Sequence, residues 1–231
     1  MARGQESIKD KVRKLLNQAA DQEGTPEAAL FYGKAFSLMA RHGFDERDLG
    51  RDGAQRGMQR LDTDFSGSYS DMQMNLLNTL AHALHCVAVA SRRPRAVGVV
   101  SGSVFGLRPH VERVELLFTL LNPMMAGLST GAGNTVAQRR SFMAGFAAET
   151  GRRLTEAEAE VGREHQGYGL ALIDDREQAR SFMEESVDGV ANHRRRARLD
   201  ADAYTRGASA ARRADLGQTR LAGSRGLPQA G

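Results

Sequence analysis

Between positions 8 and 19 the apolar residues Ile8, Val12, Leu15, Leu16 and Ala19 fall at the spacing of a helix packed on one side. Lys9, Lys11, Arg13 and Lys14 take the opposite face. Gly24 ends this helix, Thr25 suits an N-cap, and Pro26 suits the first helical position, where its missing N–H is not needed. A second helix turns Ala28, Phe31, Ala35, Leu38 and Met39 to one side. Gly43 is placed for its left-handed end, Phe44 for the apolar contact that closes it, and Asp45 for capping a short third helix to Leu49. Residues 1–50 therefore read as a helical hairpin domain.

Residues 51–67 are Gly-rich, polar and without period, and are expected to be a flexible linker. Helical spacing returns over 70–85, with Met72, Leu76, Leu77, Leu80 and Leu84 inward. Short β-branched runs at 86–90, 96–101 and 103–107 predict a small antiparallel sheet, its first two strands joined by the Arg-rich turn SRRPRA. Pro109 opens a helix that buries Val111, Val114, Leu117, Leu121 and Met124 or Met125, and Pro123 is expected to kink or split it. A long helix over 136–166 carries Phe142, Phe146, Leu154, Ala157 and Val161, and Gly145 lets a neighbour come close. Residues 169–173 read as a fourth strand, followed by a helix capped near Asp174 or Asp175. The order is that of an α+β domain over 68–190. Residues 191–231 follow as a basic C-terminal helix, 200–213, and a disordered Gly-rich tail. The small face Tyr204, Gly207, Ala208 and Ala211 is expected to pack on the body or on a partner.

The string KVRKLL…GTPEAA…KAFSLMARHGFDERDL resembles a bacterial and phage family known as domain of unknown function 2786. That family's usual pattern runs IRKLL, T-x-x-EA, KAQxLMxKHGL and D-x-x-DL. Phe36 and Ser37 replace its usual polar pair, and Arg41 replaces its Lys. The later segments VERVELLFTLL, RRSFMAGFAAETGRRL and AYTRGASAARRADLG resemble the companion region of actinobacterial members. The resemblance implies a helical hairpin with an attached domain and supplies no catalytic motif.

Composition narrows the chemistry. The longest apolar stretch, 116–128, is interrupted by Thr119, Asn122 and Pro123 and is too short to span a membrane. The first residues, MARGQESIKDK, lack the apolar core of a signal peptide, and a single Cys excludes an internal disulfide. These features place the expected protein in the cytoplasm. Charge is uneven: residues 151–189 carry −5 and residues 190–231 carry +6 within a total of +4. Arg supplies 28 of the 32 basic residues, and its guanidinium suits phosphate, although a GC-rich coding bias gives the same excess.

Two Arg clusters are the candidate nucleic-acid contacts: Arg92, Arg93 and Arg95, then Arg194, Arg195, Arg196 and Arg198. Arg212, Arg213, Arg220 and Arg225 extend the second, and a solubilising surface is the plain alternative. No recognition-helix, RNP or zinc-finger pattern accompanies them, so sequence-specific readout is not expected. His82, His85 and Cys86 share a helix face and are zinc-ligand types. No HExxH or paired CxxC completes them, and His110 or His165 would have to fold nearby, so packing is the expected role and no metal is assigned. Cys86 lacks a recognised base partner for nucleophilic chemistry. SGSVFG and STGAGN lack the phosphate-loop and dinucleotide patterns and read as turns, and no cofactor is expected. Glu156, Glu160 and Glu164, within reach of Arg152 and Arg163, read as a solvent-facing salt ladder. The reading is thus a non-enzymatic cytoplasmic binding module whose partner is nucleic acid or an acidic protein. The alternatives are an enzyme assembled on His82, His85 and His110 with a carboxylate such as Glu112, or a structural, oligomerising protein.

Overall fold

The computed structural model describes residues 57–92, 98–164, 168–190 and 198–213, together with Lys14, Leu15 and Gln18. The chain runs through strand β1 (Met58–Asp64), helix α1 (Ser70–Ala83), strands β2 (Val87–Ser91) and β3 (Ser101–Leu107), and helices α2 (Arg108–Thr130), α3 (Val136–Glu164), α4 (Tyr168–Ser186) and α5 (Ala201–Arg213). This is the expected α+β class. The hairpin over 1–50 lies outside the described residues apart from those three, of which Leu15 is half-buried against the central core.

β3 is the middle strand of an antiparallel sheet ordered β1-β3-β2, with Leu61 opposite Val104 on one side and Val87 opposite Phe105 on the other. Successive side chains along β3 face opposite ways. Gly102, Val104 and Gly106 face α1: a Cβ at Gly102 would lie 2.7 Å from Leu77 Cδ2, and one at Gly106 would lie 2.6 Å from Cys86 Sγ. The missing side chains let the helix and its exit lie directly on the strand. Phe105 faces the other way, where its ring meets Phe182 of α4 with centroids 5.9 Å apart and the Arg60 guanidinium lies over it at 5.5 Å. The sheet is therefore covered on both faces, α4 on one and the main core on the other.

That core joins Leu76, Leu77, Leu80 and Leu84 to Val111, Val114, Leu117 and Leu121 of α2 and to Met143, Phe146 and Leu154 of α3, all buried. α3 starts with a reciprocal cap: Thr135 Oγ1 accepts from the Gln138 N–H, and Gln138 Oε1 accepts from the Thr135 N–H. α5 begins at Asp200, whose carboxylate accepts from the Ala203 N–H at 2.8 Å. Its small face packs on α3 as the sequence leads one to expect. A Cβ at Gly145 would overlap the Tyr204 carbonyl oxygen, and one at Gly207 would overlap that of Phe142.

Four expectations need correction. Met58–Asp64, inside the span read as linker, is a strand. Its half-buried Leu61 and Thr63 alternate with exposed Arg60, Asp62 and Asp64, and pairing with β3 rather than apolar content makes it a strand. Residues 98–100 are not strand, so β2 pairs directly with β3; residues 93–97 lie outside the described residues. Residues 169–173 belong to α4, not to a fourth strand. A short apolar run fits either element, and here the four-residue interval Asp175, Ala179, Met183 sets the buried face. Pro123 sits inside one continuous helix and does not split it.

Candidate functional site

The densest polar chemistry in the interior gathers where α1 ends, α2 begins and α4 crosses. α1 closes with a left-handed turn. His85 has φ 59°, and the Cys86 N–H donates back to the Ala81 carbonyl at 2.8 Å. This is the Schellman closure, with His85 at the position that glycine usually takes. A left-handed non-glycine residue costs about 1 kcal/mol, and His is among the few types enriched there. The turn aims the imidazole inward, where its ring lies 5.9 Å from that of His110.

His110 stands in the first turn of α2, directly after β3. Its Nε2 is 3.1 Å from Asp175 Oδ2 on α4, and the two side chains are only 5% and 4% exposed. Beside them Arg113 of α2 donates to Glu158 of α3, a second ion pair that is almost wholly buried. Four helices thus deliver His85, His110, Arg113, Glu158 and Asp175 to one place. His85 Nε2, His110 Nδ1 and Glu158 Oε2 are buried with no hydrogen-bond partner among the described residues.

The electrostatics follow from burial. Desolvation pushes the His85 imidazole down to about 4, and the neighbouring His110 pushes it the same way. The negative charges of Glu158 and Asp175 oppose this only in part, so His85 is neutral at pH 7. The Asp175 carboxylate beside Nε2 orients the His110 imidazole, and its Nδ1 is buried without a hydrogen-bond partner among the described residues. An imidazole oriented by a carboxylate is the arrangement general acid–base chemistry uses, held here in a closed interior.

The predicted residues divide. His85 and His110 are brought together, as the enzyme alternative required, but their carboxylates are Asp175 and Glu158. Glu112 instead pairs with Arg108 at 2.9 Å toward solvent. His82 is exposed on the last turn of α1; partial burial lowers its pKa, and Arg176 adds to the effect. Cys86 is buried against Gly106, its Sγ 3.5 Å from the Leu84 carbonyl, and burial pushes the thiol up to about 12. A thiol held protonated in this way is a poor nucleophile and a poor ligand. Among the described residues no three His, Cys, Asp or Glu side chains are arranged to hold a metal ion. His165 lies outside the described residues.

Of the Arg clusters, Arg92 and Arg198 are described and exposed; Arg93, Arg95, Arg194, Arg195 and Arg196 lie outside the described residues. In the salt ladder, Arg152 pairs with Glu156 and with Glu149 of the preceding turn, and Arg163 donates instead to the Ala159 carbonyl. Glu149 also receives Arg212 of α5 at 3.1 Å, which fastens the C-terminal helix. The hydrogen bonds from Arg152 chiefly, and from Arg212, hold its carboxyl below the ordinary range.

Sequence reading missed Arg113, Glu158 and Asp175, although each carries a signal. Arg113 is flanked by Val111, Val114 and Leu117, Glu158 lies four residues after Leu154, and Asp175 lies four before Ala179, so each sits on an inward face. A charge on a core-facing stripe is informative because it must find a partner inside.

Among the described residues no helix is long and apolar enough to cross a membrane. No curated protein and no solved structure matches the chain. Residues 7–46 match the model of the family described as "Protein of unknown function (DUF2786)", the family that the hairpin sequence resembles.

Proposed function

We propose that this protein is a non-enzymatic cytoplasmic binding module that holds nucleic acid through its phosphates, without reading sequence, using the clusters at Arg92, Arg93 and Arg95 and at Arg194, Arg195, Arg196 and Arg198. The observation that carries the reading is that both described cluster arginines are exposed and without a carboxylate partner among the described residues, a state they share with Arg176 and Arg206 of the body. On the body, Arg60, Arg108, Arg140, Arg152, Arg180 and Arg212 are each engaged by a carboxylate. Arg92 and Arg198 are exposed and have no carboxylate partner among the described residues, so their charge is available to an outside anion. Each phosphate neutralised releases a counterion, which makes affinity fall steeply with salt.

The test is a fluorescence-anisotropy titration of the full chain with single- and double-stranded DNA and RNA at about 50 and 200 mM salt. Binding that weakens with salt, and a shallower salt slope for Arg92→Glu/Arg198→Glu, is expected. No binding at the lower salt would overturn the proposal and direct attention to an acidic protein partner. A second reading, an enzyme with a histidine site, is favoured by the convergence of His85 and His110 beside Asp175. It requires that the cluster open to a substrate.

A further inference from the structure

Two arginines outside both sequence clusters converge on one turn. Arg139, at the start of α3, donates from Nε to the Gly133 carbonyl at 3.1 Å. Arg206 of α5 donates from Nη2 to the Ala132 carbonyl at 2.8 Å. Those carbonyls belong to consecutive residues, so the two guanidiniums lie within about 11 Å of each other. Arg206 is exposed and Arg139 half-buried, and neither has a carboxylate partner among the described residues.

The packing of α5 on α3 brings a third arginine to the same end. The Asp200 N–H donates to Ser141 Oγ at 2.9 Å, close to Arg139 on α3. Exposed Arg198 precedes Asp200 by two residues, so its backbone lies within about 8 Å of that contact. Residues 131–141 contain no acidic side chain. The carboxylates at the start of α5 are Asp200, which is turned to the Ala203 N–H, and exposed Asp202. Asp71 is nearby but is held by Arg140.

We propose that Arg139, Arg198 and Arg206 form one face, where α3 and α5 begin, that grips the phosphate backbone of a nucleic acid. The inference rests on the binding reading above and names its surface. A guanidinium has five N–H groups, and Arg139 and Arg206 each use one on a carbonyl. That bond orients the side chain without neutralising it and leaves further N–H groups for phosphate oxygens. Holding the side chain in place beforehand lowers the ordering cost of binding.

The test is fluorescence anisotropy of the full chain with labelled single- and double-stranded DNA and RNA over about 50 to 200 mM salt. Each phosphate contact contributes about 0.9 to the slope of log affinity against log salt on a duplex, and about 0.7 on a single strand. Arg206→Gln should flatten the slope by one such step and Arg139→Gln/Arg206→Gln by two. Arg139→Lys/Arg206→Lys keeps both charges and should hold the parent slope, which a role confined to bracing the turn would not allow. Arg176→Gln/Arg180→Gln removes two exposed charges from α4 and should leave the slope unchanged. Binding with a slope that the Gln variants leave unaltered, equal flattening by the α4 pair, or the same flattening by the Lys pair would each overturn this face while nucleic-acid binding itself stands. No binding of any of these probes by the parent protein at about 50 mM salt would overturn the functional reading and the face with it.

Discussion

Gly207→Ala tests the closest approach in the fold. Inside a helix such a change ordinarily stabilises by about 1 kcal/mol, because alanine has the higher helix propensity. At Gly207 the new methyl would overlap the Phe142 carbonyl oxygen and lie 2.8 Å from its carbon and 3.0 Å from the Phe142 Cα. These are backbone atoms of α3, which cannot swing aside as a side chain does, so α5 must move outward. That movement loosens the buried Ala203, Ala208 and Ala211 and strains the bond from Arg153 to the Ala211 carbonyl, 2.7 Å long in the native packing. Overpacking of this kind costs about 1–3 kcal/mol, and against rigid backbone the upper part of that range applies, leaving a net loss of about 1–2 kcal/mol. Gly127→Ala is the matched control: Gly127 is an exposed glycine of α2, and its new Cβ meets nothing within 4 Å. It should gain up to about 1 kcal/mol. Urea unfolding followed by far-ultraviolet circular dichroism would give both values. If the two variants shift the midpoint alike and upward, α3 and α5 are not in backbone contact and the packing argument is wrong.

The other predictions concern the buried groups. Glu158→Gln breaks the buried Arg113–Glu158 ion pair and should cost about 3 kcal/mol, whereas replacing both residues by Met should recover most of that loss. A double-mutant cycle in denaturant decides it, and additive losses would refute the coupling. Cys86, buried and with its thiol pushed up to about 12, should resist iodoacetamide in the native protein at pH 8 and react fully in denaturant. Rapid native labelling, read by mass, would contradict the packing against Gly106.

Local sequence determined the helices α1, α2, α3 and α5 and most of their inward faces, because a helix is built from contacts three and four residues apart. Leu76, Leu80, Val111, Val114, Phe142, Phe146 and the small face of α5 were legible for that reason. Asp200 and Thr135 mark helix starts by chemistry that needs only the next few residues. Gly145 was legible as a close approach, although not its partner Tyr204. Tertiary structure decided whatever depends on distant neighbours. MQRLDTD is a strand because β3 offers it a ladder, and 169–173 is helix because Asp175, Ala179 and Met183 face the body. The histidine cluster is the same lesson at the level of chemistry. Residues 85, 110, 113, 158 and 175 are scattered in sequence, and Asp175, which reads locally as a helix cap, lies 65 residues from His110. A charge on an inward stripe tells the sequence reader that a partner exists. Only the packing of four helices names it, because a buried charge takes whichever opposite group the fold brings within reach.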